Sequence, residues 1–103
     1  MALLNHKQGG GFSTTSPVTV VPAVASGNRF AITSIVVHNQ HTSDVAITIE
    51  VYDGTNSVIF VDESILSKES YYYDMKIVLT DGESLRVTTN NANVHVIVSG
   101  DDA

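Results

Sequence analysis

The chain has 103 residues, a length that fits one domain with a single core. Its composition, 43% hydrophobic and 16% charged, is typical of a folded globular protein. The absence of cysteine excludes disulfides, thiolate zinc sites and cysteine nucleophiles. A net charge of −6 with only five basic residues argues against nucleic-acid binding, because a phosphate backbone would be repelled.

Membrane insertion and secretion are not indicated by the sequence. No segment approaches the roughly 20 apolar residues that span a bilayer, and the first apolar run is too short for a secretory signal. We therefore expect a protein that is made in a reducing, aqueous compartment and does not contact a membrane.

The first segment, residues 1–16, differs from the rest of the chain. It combines the glycines 9–11 with a run of Ser and Thr, and polar and apolar residues do not alternate in it. This composition favours a flexible arm rather than a strand. Leu3, Leu4 and Phe12 are spaced along the arm, and we predict that they contact a partner.

Polar and apolar residues alternate through most of the remaining chain, as in strands with one buried face. The predicted strands, in order, are PVTVVPA (17–23), RFAITSIVVHN (29–39), DVAITIEVYD (44–53), SVIFV (57–61), KIVL (76–79), SLRVTTN (84–90) and VHVIVS (94–99). Prolines near both ends of the first favour an edge strand. The turn after Tyr52, with Asp53-Gly54 at its head, predicts a hairpin. No window shows sustained helical spacing.

The number and spacing of these strands define the fold class. About seven or eight strands in roughly 85 residues, with turn signals every 8 to 12, are typical of a sandwich, a jelly roll or a small barrel. We predict an all-β protein, an antiparallel β-sandwich or jelly roll, in which residues 17–103 form the single domain behind the arm.

His38, His41 and Asp44 lie within seven positions and could together hold a metal ion. His38 ends one predicted strand and Asp44 begins the next, so the intervening residues form a connection of ordinary hairpin length. Zinc needs three or four convergent ligands with supporting contacts, which this junction seldom supplies. We expect no metal and no cofactor here. His95 alternates with inward valines, so it should face solvent.

Catalytic motifs are not found in the sequence. It has no Gly-x-Ser-x-Gly elbow, no phosphate-binding glycine loop and no His-Glu-x-x-His helix. The carboxylate pairs Asp62-Glu63 and Asp101-Asp102 are sequence neighbours, and neighbours on a strand point to opposite faces, so neither pair forms an acid/base couple. The sequence therefore favours a protein that is not an enzyme.

Three consecutive tyrosines, Tyr71, Tyr72 and Tyr73, cannot all face one core in an extended chain. At least one ring should lie outside or at the end of the domain. Three roles are open: a corner in which hydroxyls bond to the backbone, a protein interface, for which tyrosine is favoured, or a platform that stacks on sugars. The lack of tryptophan weakens the last of these.

Charge is unevenly distributed along the chain. Residues 1–43 contain no Asp or Glu and carry Lys7 and Arg29, whereas residues 44–103 hold all eleven acids against three basic residues, so the halves carry +2 and −8. Uncharged strands that happen to come first would explain this. The alternative is that the acid-free half, including Arg29, packs against acidic neighbours such as copies of the same chain.

Two long segments carry a resemblance to known proteins. ITSIVVHNQHTSDVAITIEVYDG and IVLTDGESLRVTTNNANVHVIVSG, which contains the Leu79–Val87 sequence LTDGESLRV, resemble small β-sandwich structural proteins of tailed bacteriophages over about residues 29–99. The resemblance implies a virion component assembled in the host cytoplasm: a capsid decoration (cement) protein that binds the major capsid protein, or a neck, tail, fibre or baseplate component. It implies no catalytic residues. A carbohydrate-binding module is the alternative from another class.

The segment RFAITSIVVHN also predicts an oligomer. By strict alternation Phe30, Ile32 and Val36 lie on one side, while apolar residues also occupy the other side. Only one side can meet the second sheet of a sandwich, so the other would need the arm or another subunit. We expect a symmetric homo-oligomer, with a trimer favoured from the positions that head lattices offer.

Overall fold

The computed structural model describes residues 2–13 and 15–102 of the chain. Within these residues it contains nine strands and no helix, and no helical segment is therefore available to cross a membrane. The strands are β1 (Ala2–Gly9), β2 (Val18–Val21), β3 (Phe30–Asn39), β4 (Val45–Tyr52), β5 (Ser57–Ile65), β6 (Ser70–Tyr73), β7 (Ile77–Leu79), β8 (Ser84–Thr89) and β9 (Val94–Asp102).

The strands form two antiparallel sheets packed face to face. Sheet A has the order β1-β9-β3-β6, with β7 also pairing with β3, and sheet B has the order β2-β8-β4-β5. β6 and β7 pair with successive parts of β3, so they act as one strand interrupted at residues 74–76. Eight strand positions in two four-stranded layers, joined by crossings between sheets, are the arrangement of a jelly roll. The predicted fold class is confirmed.

The alternating segments form the strands that the sequence predicts. Val45, Ile47 and Ile49 of β4 are buried, and β4 and β5 are consecutive partners in a hairpin. The Asp53 side chain organises the turn: its Oδ1 accepts the backbone N–H groups of Thr55 at 2.8 Å and Asn56 at 2.7 Å. These bonds lower the pKa of Asp53, because they favour its charged form. β2 lies at the edge of sheet B, as predicted.

The core lies between the two sheets and consists mainly of branched aliphatic side chains. Burying each of these stabilises the fold by about 1.5–3 kcal/mol. The fully buried ones with the largest side chains are Ile32, Ile35, Ile47, Ile49, Ile65, Leu79, Leu85, Val21, Val37, Val45, Val87 and Val94.

A bulge in β3 changes which of its residues face the core. Ile32 pairs with Gly100 and Ser34 with Ser99, so Thr33 is an extra residue in the strand. The bulge places Ile32 and Ile35 on the same buried face although their spacing is odd. The prediction that β3 has two apolar faces in strict alternation is therefore wrong, because one added residue reverses the alternation.

The outcome for the predicted arm is a correction. Residues 2–9 form β1, which pairs with β9 along its whole length, so this part of the segment is a strand. The side chains of His6 and Gln8 are polar yet point inward at the sheet edge, which hides the alternation in the sequence. The backbone of β9 supplies the hydrogen bonds whatever the side chains are. Met1 and Thr14 of the predicted arm lie outside the described residues, as does Ala103 of the predicted domain.

Phe12 is also corrected, because it belongs to the core and is not a surface contact. Gly10 and Gly11 both have positive φ, at 86° and 76°, and turn the chain after β1. The turn brings Phe12 between the sheets, where only 4% of it is exposed. That Leu3 and Leu4 contact a partner stays a prediction.

Candidate functional site

His38 contacts two neighbouring side chains through its ring nitrogens. Its Nδ1 lies 2.8 Å from the Ser70 hydroxyl, and its Nε2 lies 2.8 Å from the side-chain oxygen of Gln40. Both ring nitrogens therefore already have polar partners. Across residues 2–13 and 15–102, His, Asp and Glu side chains form no group of three that could hold a metal ion.

His41 and Asp44 take part in the connection between β3 and β4. Asp44 Oδ1 accepts the backbone N–H of Ser67 at 3.1 Å, and the His41 carbonyl accepts the Ser67 hydroxyl at 3.0 Å. These bonds join the β3–β4 connection to the β5–β6 connection at one end of the sandwich. These contacts agree with the interpretation of the segment from His38 to Asp44 as a connection between two strands.

The tyrosine run forms β6 at the edge of sheet A. Tyr72 points outward and is 63% exposed, which confirms that one ring lies outside. Tyr71 and Tyr73 are half-buried and pack against the core. The Tyr73 hydroxyl donates to the Glu63 carboxylate of β5, so it bonds to a side chain of sheet B rather than to the backbone. Burial raises the pKa of Tyr73 above 10.0, and the bond to Glu63 adds to the rise.

The outer face of sheet A carries a line of apolar residues. Ile97 of β9 pairs with Val36 of β3, and Val36 pairs with Tyr72 of β6, so the three lie side by side across the sheet. We call them the apolar row. Ile97 is 40% exposed and Val36 is partly exposed. Lys7 of β1 pairs with Ile97 and ends the row with a positive charge.

Two residues further along β3, on the same side of sheet A, His38 lies opposite His95 of β9. They are register partners, with ring centroids 6.4 Å apart. His95 is exposed, as predicted. At the opposite end of the sheet, Leu3 pairs with Asp101, and Ala31 lies between Asp101 and Val78; Leu3 and Val78 are exposed by 83% and 54%. The outer face therefore alternates polar and apolar rows: Asn5 and Ser99 separate the apolar row from Leu3, and the two histidines lie on its other side.

The outer face of sheet B is built differently. Glu50 of β4 is buried and forms an ion pair with Arg86 of β8, whose Nε lies 2.9 Å from Glu50 Oε2. Ser57 donates to the same oxygen at 2.8 Å, and the Arg86 guanidinium lies 3.6 Å from the ring centroid of Tyr52. Each polar group at the centre of this face therefore has a partner inside the chain.

The edge of sheet B also exposes apolar residues. Val58 and Ile59 of β5 are 66% and 56% exposed. They are consecutive, so they project from opposite sides of an edge strand that has a free row of backbone groups. An exposed apolar residue therefore lies on each side of this free edge.

A small pocket lies where β1 meets the connection after β2. Its volume is about 190 Å³, and its lining includes Leu4, Pro22, Val24 and Phe30 with Asp102 at the rim. Its volume is below the roughly 300 Å³ from which ligand pockets usually range upward.

The candidate residues chosen from the sequence do not form one cluster. Leu3 and Tyr72 share the outer face of sheet A, Leu4 lines the pocket, and Arg29 is exposed just before β3. Phe12 is in the core. Sequence reasoning missed Val36 and Ile97 as surface residues. The outward position of Ile97 followed from the alternation of β9, but that of Val36 depends on the bulge.

Comparisons with known proteins find similarity in structure alone. No family model matches the chain, and no curated protein matches it in sequence. The Drosophila NLP core, described with pentamer formation and histone binding, has a TM-score of 0.60 and 12% identity over 100% of this chain and 99% of its own. At these identities the similarity concerns the fold.

Two further solved structures share the fold. A pentameric capsid protein isolated from metagenomic phage sequences has a TM-score of 0.51 and 18% identity over 96% of this chain. The chain spans 61% of that protein. The CBM22-1 and GH10 modules of a Clostridium thermocellum endo-1,4-β-D-xylanase, complexed with xylohexaose, have a TM-score of 0.50 and 11% identity over 96% of this chain and 24% of theirs. One fold therefore serves proteins with different functions.

Proposed function

We propose that this chain is a virion structural protein of a tailed bacteriophage, and that it decorates the outside of the capsid as a cement protein. The observation that carries the proposal is the exposed apolar surface on a jelly roll: the apolar row on sheet A and the free edge at Val58 and Ile59. The structural similarity to a phage capsid protein, which extends over 96% of the chain, supports it. On this proposal the protein acts in the virion and is assembled in the host cytoplasm.

The proposed role is binding and not catalysis. The polar groups at the centre of sheet B are bonded to each other, and the pocket is too small for a substrate of ordinary size. A structural protein needs surfaces that another subunit can cover, and the outer face of sheet A provides one. The proposed partner is the major capsid protein.

The proposed protein is a homo-oligomer, with a trimer as the favoured state. The two apolar faces of β3 that strict alternation predicts do not support association, because the bulge places Ile32 and Ile35 together in the core. The apolar row and the β5 edge replace it as the reason to expect association. The mass of the assembly, measured by light scattering, decides between three copies and another number.

Labelling of particles tests the proposal. Antibodies raised against the purified protein, with gold conjugates, should bind the heads of particles from a culture that carries its gene. Labelling of necks, tails or fibres would instead support the alternative that it belongs to those parts. Particles that contain no trace of the chain by mass spectrometry would overturn both.

A carbohydrate-binding module is the second candidate, and the exposed ring of Tyr72 favours it. An exposed tyrosine on a sheet face can stack on a sugar ring. Glycan arrays probed with the protein and with Tyr72→Ala test this role. Binding that is lost in the variant would support it, whereas no binding by either protein would remove it.

A further inference from the structure

We propose that copies of this chain associate head to tail, with the β5 edge of one copy on the apolar row of the next and Asp62 paired with Lys7. This inference rests on the proposed structural role and names the surfaces that would associate. The two surfaces lie on the outer faces of different sheets, so one copy can use both at once. Such a contact is heterologous and closes into a ring when the rotation permits.

The first of the two surfaces is the β5 edge, and a bulge in β5 determines which of its side chains face outward. Ile49 pairs with Val61 and Glu50 with Ile59, so Phe60 is an extra residue in β5. Asp62 pairs with Thr48, whose side chain lies on the outer face of sheet B. Because of the bulge, Ile59 and Asp62 project from the same outer face although they are three residues apart. One apolar side chain and one carboxylate are therefore presented together.

The second surface has the same two features, an apolar side chain and a charged one, with the charge of opposite sign. Val36 and Lys7 are separated by two strand spacings in sheet A, about 10 Å. Ile59 and Asp62 pair with Glu50 and Thr48, which are two residues apart on β4, so the bulge reduces their separation to about 7 Å. A β5 strand that crosses sheet A along the apolar row would place Ile59 over Val36, and the long side chain of Lys7 would reach back to Asp62.

The contact brings unlike charges together although both copies are acidic overall. The Glu50–Arg86 pair is the one ion pair in the described part of the chain, so neither Lys7 nor Asp62 has an ion-pair partner there. Two copies with a net charge of −6 repel each other unless an acidic part meets a basic part. Lys7 belongs to the acid-free part of the sequence and Asp62 to the acidic part.

Charge reversal tests the contact in the full-length protein. Sedimentation velocity over a range of concentrations should show association of the wild type. Lys7→Glu and Asp62→Lys should each weaken association about tenfold or more, because each places like charges together. The double variant should recover most of the loss. Lys76→Glu and Asp74→Lys are matched controls at exposed positions outside both surfaces, and they should associate like the wild type.

Cross-linking gives a second test that does not depend on charge. The chain has no cysteine, so Lys7→Cys and Asp62→Cys can be prepared separately, mixed and treated with a short bis-maleimide. A cross-linked dimer of the two variants is expected, and far less with Lys76→Cys in place of Lys7→Cys. Thermal unfolding by circular dichroism checks that each variant is folded.

Two results would overturn the inference: a wild type that stays monomeric at every concentration, or a double reversal that associates no better than its single variants. Particle labelling separates this failure from failure of the proposed function. A monomer that still decorates heads would remove the head-to-tail contact and leave the virion role intact.

Discussion

The outer faces of the two sheets present different surfaces although both cover the same core. On sheet B, Glu50, Arg86, Ser57 and Tyr52 satisfy one another, and the face is closed by its own contacts. On sheet A, the apolar row remains exposed and Lys7 stands at its end. The difference shows that a buried core constrains only the inward half of each strand. The outward side chains can bond to one another, as on sheet B, or remain exposed for contact with another molecule, as on sheet A.

The largest effect is expected from changing the register of β3 in sheet A. Deleting Val36 should lower the free energy of unfolding by about 4 kcal/mol, because Val37 and the bonds of buried Asn39 would turn outward. Deleting Thr33 should cost about 1 kcal/mol, because it removes only the extra residue of the bulge. Urea unfolding of both variants measures the difference, and equal losses would contradict the bulge assignment.

The next-largest effect distinguishes a buried from an exposed apolar residue of the amino-terminal segment. Phe12→Ala should cost about 3 kcal/mol, because it leaves a cavity between the sheets. Leu3→Ala should cost under about 0.5 kcal/mol, because its side chain is 83% exposed on sheet A. Thermal unfolding compares them. Equal stability of the two variants would mean that Phe12 lies outside the core.

A smaller loss is expected at the centre of sheet B. Glu50→Ala should cost about 2 kcal/mol, because it leaves the guanidinium of Arg86 largely buried without its carboxylate. The double variant with Arg86→Ala should lose less than the sum of the single losses, since no unpaired charge remains. Val36→Ser on sheet A is the contrast: its stability should change by under about 1 kcal/mol. Additive losses at Glu50 and Arg86 would show that the pair is not coupled.

The smallest effect at neutral pH is expected where the edges of the two sheets meet. The folded protein raises the pKa of Tyr73 above 10.0, so the unfolded chain releases this proton first as the pH increases. The contribution of Tyr73 is present below pH 10 and is lost progressively above it. Tyr73→Phe should therefore lose less stability than the wild type between pH 10 and 12. Parallel curves in a pH series of urea unfolding would contradict this.

The sequence predicted those strands in which one face is apolar without interruption. β4, β8 and β9 alternate regularly, so their inward residues were predicted correctly, and His95 was correctly assigned to the outside. β1 was missed because its inward positions include His6 and Gln8, so that pattern gives no strand signal. The bulge at Thr33 was missed because an extra residue changes the face of its neighbours without changing their chemical type.

The sequence by itself determined the fold class, the absence of cysteine chemistry, the separation of charge along the chain and one exposed tyrosine. Local alternation and turn residues are sufficient for these, because they depend on neighbours in the chain. The tertiary structure decided that residues 2–9 form an edge strand, that Phe12 is in the core, and that Ile97, Val36 and Tyr72 form a row with Lys7. These features depend on pairing between residues as far apart as Ala2 and Asp102. The side-chain pattern along one strand carries no information on which strand lies beside it.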